Sequence, residues 1–365
     1  MTSLLINWLS VGYTRLFGRK KMSWMRPVFQ LIIFFGVCLK SFSQDINFSQ
    51  FYEMPLLRNP ALAGIYKGDI RFSSAFRNQW QAVPARFQTS AAGVETKFSV
   101  TNRSDDYISV GLQFTNDVAG DGNLGRTQFL PVFAYHKSIS SYSNTYLTAA
   151  FIGGGVSQRF DPTKLRFDDQ FVNGSYSALN PTSNSITNTS HFYWDASLGL
   201  SLSGEFGDNK YYIGAAYFHF NEPKVAFSAL NDIRLNKKYV LNGAMAIATS
   251  EYGDQVTLFG DYFLQGGSGQ IQAGAIFKHI LVDDQDDMDV ALSAGAFYRW
   301  DDAIVPVGRI GYYNWTLGMS YDVNTSRLRT ASQLRGGVEL TLTYSSYLNI
   351  RNSTLQKMKC PVPLF

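Results

Sequence analysis

Four stretches of the chain alternate strictly between apolar and small or polar side chains. From Phe192, one face reads Phe192, Trp194, Ala196, Leu198, Leu200 and Leu202, and the other Tyr193, Asp195, Ser197, Gly199, Ser201 and Ser203. Ile108, Val110, Leu112 and Phe114 alternate with Ser109, Gly111, Gln113 and Thr115. Trp315, Leu317, Met319 and Tyr321 alternate with Thr316, Gly318, Ser320 and Asp322. Val338, Leu340, Leu342 and Tyr344 alternate with Gly337, Glu339, Thr341 and Thr343. A period of two puts successive side chains on opposite faces of a strand. A lipid-facing wall has this pattern, with Leu200 read as outward and Ser201 as lumenal, but so does a soluble sandwich.

Extending the pattern predicts about 14 strands, near 70–80, 86–97, 106–116, 126–138, 144–160, 192–204, 210–220, 239–250, 253–265, 270–282, 288–299, 303–313, 315–322 and 335–344. The connections separate the two architectures. Numbered from the first hairpin, the longest are odd (161–191, 221–238 and 323–334), and short turns such as Gly207-Asp208-Asn209 and Tyr312-Tyr313-Asn314 are even. Outer-membrane barrels set short periplasmic turns against longer external loops, whereas a sandwich has no reason to sort loop length by parity. The reading is an all-β transmembrane antiparallel barrel over 70–344, with both termini periplasmic because the strand count is even. The Asn-, Ser- and Thr-rich stretch 173–190 reads as a flexible external loop.

The N-terminus reads as an address. Arg19, Lys20, Lys21 and Arg26 precede an apolar run from Val28 to Leu39, and Ser41-Phe42-Ser43 supplies small residues before Gln44. That is the plan of a secretory signal over 1–43, too short in its apolar part for a membrane helix. Met22 would serve as an alternative start. Cys38 follows Val37, where a lipobox wants a small residue, so lipidation is the lesser reading. After Lys40 no apolar run reaches transmembrane-helix length. A chain that is exported, and that crosses lipid without helices, must do so as a closed barrel.

Composition agrees. Only 16% of residues are charged, against roughly 25% in an ordinary soluble domain, and Phe (28) and Tyr (21) are abundant. The net charge of +4 without a basic stripe argues against nucleic acid. Removal of Cys38 leaves Cys360 alone, so no internal disulfide is expected. His136, His191, His219 and His279 are scattered without metal-ligand spacing, and no Gly-x-Ser-x-Gly elbow appears. No catalytic residue, cofactor or metal is assigned. Asp117, Asp121 and Asn123 lack the rhythm of a calcium loop and read as turn chemistry. Asp283, Asp284, Asp286, Asp287 and Asp289 read as a solvated turn.

Several blocks carry a resemblance. The mature start reads Gln44-Asp45-Ile46-Asn47-Phe48-Ser49-Gln50-Phe51-Tyr52, followed by Asn59-Pro60-Ala61-Leu62-Ala63-Gly64 and Arg77-Asn78-Gln79-Trp80. Downstream come Ala134-Tyr135-His136, Leu165-Arg166-Phe167-Asp168-Asp169-Gln170-Phe171, His219-Phe220-Asn221-Glu222-Pro223, Ser320-Tyr321-Asp322 and Cys360-Pro361. In this order they resemble the PorP/SprF family of type IX secretion membrane proteins of Bacteroidetes, over nearly all of the mature chain. Glu53-Met54-Pro55 departs from the family's Asn before Pro, and Glu339 alone remains of its His-Glu pair.

The resemblance implies an outer-membrane barrel that assists export or surface attachment of proteins bearing C-terminal sorting domains, such as gliding adhesins. It also implies contact with periplasmic and outer-membrane components of the machinery. A pore for small solutes or hydrophobic compounds is the alternative.

Candidate partner-binding residues are Phe48, Gln50, Phe51, Tyr52, Asn59, Pro60, Arg77, Gln79 and Trp80. The segment 44–69 is too aromatic for a free tail. It is expected to pack at the periplasmic mouth or in the lumen, as a plug or a docking surface. A periplasmic tail is expected over 345–365.

Overall fold

The computed structural model describes residues 45–79, 87–100, 104–172, 174–177, 179–180, 182, 188–227, 232–250, 253–282, 290–326 and 335–348. The signal segment, Trp80, the acidic run 283–289 and Cys360 lie outside them.

Among the described residues, fourteen antiparallel strands close into one barrel. In chain order they are β1 (Ile70–Gln79), β2 (Phe87–Ser99), β3 (Tyr107–Ala119), β4 (Leu124–Ser140) and β5 (Thr145–Arg159), then β8 (Ser190–Phe206), β9 (Asn209–Phe218), β10 (Lys238–Ala248) and β11 (Gln255–Gln265). The wall ends with β12 (Ser268–Val282), β13 (Val290–Arg299), β14 (Ala303–Tyr312), β15 (Trp315–Asn324) and β16 (Arg335–Ser346). β6 (Phe171–Val172) and β7 (Ser175–Tyr176) form a separate two-stranded ladder in the longest connection, where an irregular loop was expected. The wall strands fall within a few residues of the segments that alternation predicts.

The barrel closes where β1 pairs with β16, from Ile70 opposite Ser346 to Gln79 opposite Gly337. No described helix is long and apolar enough to cross a membrane. The shortest wall strands have ten residues. At ~3.3 Å per residue and a tilt of about 40°, that covers an apolar band of about 25 Å.

The two faces separate as the alternation requires. Leu198, Leu200, Leu317, Met319, Leu340 and Leu342 are exposed on the outer face. Their neighbours Ser197, Ser201, Ser320, Glu339 and Thr341 are buried. On β5 the outer face is bare at Gly153 and Gly155, and the rings of Phe151 and Phe192 lie over these glycines. The connection 120–123 is a tight turn: Gly120 and Asn123 take positive φ, and Asn123 N–H donates to the Gly120 carbonyl at 3.2 Å. Asp117 instead accepts from Thr89 Oγ1 at 2.6 Å.

Candidate functional site: the filled lumen

Polar lumenal residues are buried because the chain's own N-terminal segment fills the barrel. Its route can be followed by its partners. Asp45 N–H donates to Gln265 Oε1 at 3.0 Å, and Asn47 Nδ2 to Gln270 Oε1 at 3.0 Å, beside the turn between β11 and β12. At the other end, Tyr66 donates to the Glu95 carbonyl at 2.9 Å, and Asp69 N–H to the Ser346 carbonyl at 2.8 Å. The segment therefore runs the height of the barrel, from the end with the long connections to the end where β1 starts and β16 stops. The even strand count does place the ends of the wall together, but Asp45 lies at the opposite mouth.

Local sequence explains the compact path. Pro55 and Pro60 each open a 3-10 turn, Pro55–Leu57 and Pro60–Leu62, where a missing N–H costs nothing. Between them Asn59 Oδ1 caps the second turn by accepting from Ala61 N–H at 2.9 Å. Its Nδ2 reaches the wall, donating to the Leu200 carbonyl and to Asn242 Oδ1, both at 3.1 Å. A side chain at Gly199 or Gly214 would occupy the space that Asn59 takes. Gly64, at φ +79°, turns the chain against Ser109, where any Cβ would collide with the hydroxyl.

Charge organises the lumen into clusters. Near the seam, Glu339 of β16 accepts Ser49 N–H at 2.8 Å and Gln50 N–H at 2.6 Å. Asp322 of β15 accepts from Ser49 Oγ at 2.6 Å and from Arg77 and Arg299, both at 2.7 Å. Arg77 also donates to the Asn47 carbonyl. Three plug residues thus tie β1 to β13, β15 and β16. Deeper in, Glu53 pairs with Arg309 at 2.7 Å, and Arg58 lies 3.8 Å from Asp261. Phe51 and Tyr52 pack their rings on Phe259 and Phe297 at centroid distances of 5.3–5.8 Å. Two cavities beside the plug measure about 10 and 20 Å³, each room for about one water.

At the long-connection mouth Asp45 pairs with Arg126 at 2.6 Å and lies 3.5 Å from Lys238 Nζ and 3.4 Å from His219 Nε2. His219, held at φ +57°, turns Nδ1 onto Asp195 at 2.8 Å. Burial pushes the His219 imidazole down, but its bonds to Asp195 and Asp45 outweigh this and hold it above its usual range. The other histidines stand apart. His136 stacks on Tyr107 between Ser109 and Thr148, His191 meets the Lys224 carbonyl, and His279 meets Asp254.

The candidate residues fall mostly inside. Phe48, Gln50, Phe51, Tyr52, Asn59 and Pro60 are buried in the plug, and Arg77 in the wall beneath it; Gln79 is half-buried at the end of β1. The structure brings Gln50 and Arg77 together through Glu339, which the sequence showed as an inward position and a remnant of the family's His-Glu pair but not as a candidate site residue. Asp45, Arg58, Arg126, Lys238, Arg299 and Arg309 were missed too. For Arg126, Lys238, Arg299 and Arg309 the signal was charge at inward positions of a wall whose outer face is apolar; Asp45 and Arg58 lie in the plug, outside that alternation.

The model of the type IX secretion system membrane protein PorP/SprF matches residues 40–344. This chain belongs to the PorP/SprF family. No curated relative matches it. Among solved structures it is similar to the monoaromatic hydrocarbon channel CymD, at 10% identity and a TM-score of 0.45, covering 85% of this chain and 96% of that one. It is also similar to a TodX monoaromatic hydrocarbon channel mutant, at 10% identity and a TM-score of 0.42, covering 81% and 94%. BamA from Haemophilus ducreyi is a third, at 7% and 0.37, covering 76% and 70%. The PorP/SprF chain is thus an outer-membrane β-barrel of the type IX secretion system.

Proposed function

We propose that this PorP/SprF barrel assists the export or surface attachment of partner proteins that carry C-terminal sorting domains, such as gliding adhesins. It works with periplasmic and outer-membrane components of type IX secretion as a non-catalytic part. The short turns and the β1 and β16 ends face the periplasm, and the long connections face outward. The observation that carries this reading is a family barrel whose lumen is occupied by its own chain. A wall packed this way offers partners its mouths and loops and gives a folded client no path through. It also argues against the small-solute pore. For the buried candidates Phe48, Gln50, Phe51, Tyr52, Asn59, Pro60 and Arg77, the role is to hold the plug that shapes the docking mouth. Gln79, at the end of β1, stands at the rim where a partner would meet the barrel; Trp80 lies outside the described residues.

Deletion of the gene followed by a census of surface proteins tests this. Loss of one or a few proteins with C-terminal sorting domains from the surface is expected, together with their recovery by pull-down on the native barrel. An unchanged surface, with altered uptake of a small solute, would overturn the proposal.

A further inference from the structure

The N-terminal segment does something that strand counting hides. A barrel with an even number of strands returns its last strand to the side from which the first began, here the Ile70 and Ser346 side. A plug that entered and left by that mouth would keep all ends together. This one does not. Asp45 and Asn47 bond to Gln265 and Gln270, which flank the turn 266–267 on the far side.

The fixings between them are ordered along the axis. Ser49 and Gln50 meet Glu339, Glu53 meets Thr343 at 2.8 Å, Asn59 meets the Leu200 carbonyl, and Tyr66 meets Glu95. Glu339 lies opposite Arg77 in the register, and Thr343 opposite Ser73, four residues nearer the β1 start. The segment descends as its numbering rises. The tip has its own anchor, the Asp45 carboxylate among Arg126, Lys238 and His219. A segment that merely filled space would not need an ionic latch at its free end.

We infer that residues 45–69 form a fifteenth crossing of the membrane, inside the wall, and that they present the mature N-terminal end at the long-connection mouth. The amino end and the end of β16 then lie on opposite faces of the membrane. If the long connections face outward, as proposed above, the amino end is displayed at the cell surface, next to the loops a partner would touch.

Epitope insertion tests this. One epitope goes between Gln44 and Asp45, another after Leu348, each in full-length protein whose closed barrel is checked by heat-modifiable mobility. Antibody is applied to intact cells and to cells with permeabilised outer membranes. The expected result is detection of the first epitope on intact cells and of the second only after permeabilisation. The reverse pattern supports the crossing and overturns only the proposed orientation. Detection of both epitopes on the same face overturns the crossing. Should the first insertion prevent closure, the Asn47→Cys variant in a Cys360→Ser background takes its place. It is probed with a membrane-impermeant maleimide against Tyr347→Cys, and the same three outcomes are read. Labelling of Asn47→Cys and Tyr347→Cys from one face only would again overturn the inference.

Discussion

Replacing Glu339 with Ala should release the plug from the barrel seam. The Glu339 carboxylate is buried and accepts the backbone N–H groups of Ser49 and Gln50 at 2.8 and 2.6 Å, and it lies 4.0 Å from Arg77 Nε. A hydrogen bond to a charged group is worth about 1.5–3 kcal/mol. Alanine leaves two buried backbone donors without their charged acceptor. Removing one member of a buried charge cluster costs about 3–5 kcal/mol, and Glu339→Ala should fall in that range. Glu339→Gln keeps one acceptor oxygen without the charge and should cost less, on the order of 2 kcal/mol.

Urea unfolding in detergent, followed by tryptophan fluorescence, reads the stability. Limited proteolysis reads whether residues 45–69 stay protected. The expected order is wild type, Glu339→Gln, Glu339→Ala, with protection lost first at Ser49–Gln50. If Glu339→Ala unfolds within about 1 kcal/mol of wild type and its N-terminal segment stays protected, the seam contacts do not hold the plug.

Three further outcomes follow from the same geometry. Leu200→Arg puts a cation on the lipid face, at a cost of about 2–4 kcal/mol near the midplane; Ser201→Arg should be at least as damaging, since Ser201 donates to the Ala61 carbonyl at 2.9 Å in a packed lumen. Heat-modifiable mobility would show near-normal barrels for Ser201→Arg if the lumen were open. Gly64→Ala combines a positive φ with a collision at Ser109 and should destabilise by more than about 1 kcal/mol; an unchanged melting temperature would contradict the bend. The latch at Asp45 should depend on pH through His219, whose folded pKa is raised. Its contribution is full below the ordinary value of about 6.5 and is lost as pH rises through the raised folded value. Hydrogen-exchange protection factors at Asp45–Asn47, taken relative to the base-catalysed intrinsic rate, should therefore fall on the alkaline side, and His219→Asn should flatten that dependence. Asn tolerates the left-handed backbone, so a profile unchanged in the variant would remove His219 from the latch.

Much of the wall was legible because its physics is local. Lipid on one side and polar neighbours on the other force the alternation seen at Phe192 to Leu202, and β8 follows it. Asp195, Asp322 and Glu339 were readable as inward positions for the same reason. Their partners were not. Glu339 meets Ser49 across 290 positions, and nothing in either local pattern encodes that meeting. The aromatic content of Phe48, Phe51 and Tyr52 showed that the N-terminal block needed cover, yet composition gives no direction of travel. The placement of Asp45 at the long-connection mouth depends on charges spread over β4, β10 and the start of the connection after β9. The β6–β7 ladder escaped because two-residue strands carry too little alternation to register.

The central claim is that this secretion barrel is filled by its own N-terminal segment and acts without passing material through its lumen. Conductance of the purified, closed wild-type protein in a planar lipid bilayer tests that claim most directly. The account predicts a silent barrel, with no stepwise current and no permeation by sugars in liposomes. Steady open-channel steps from the wild-type protein, or sugar flux graded by solute size, would contradict it.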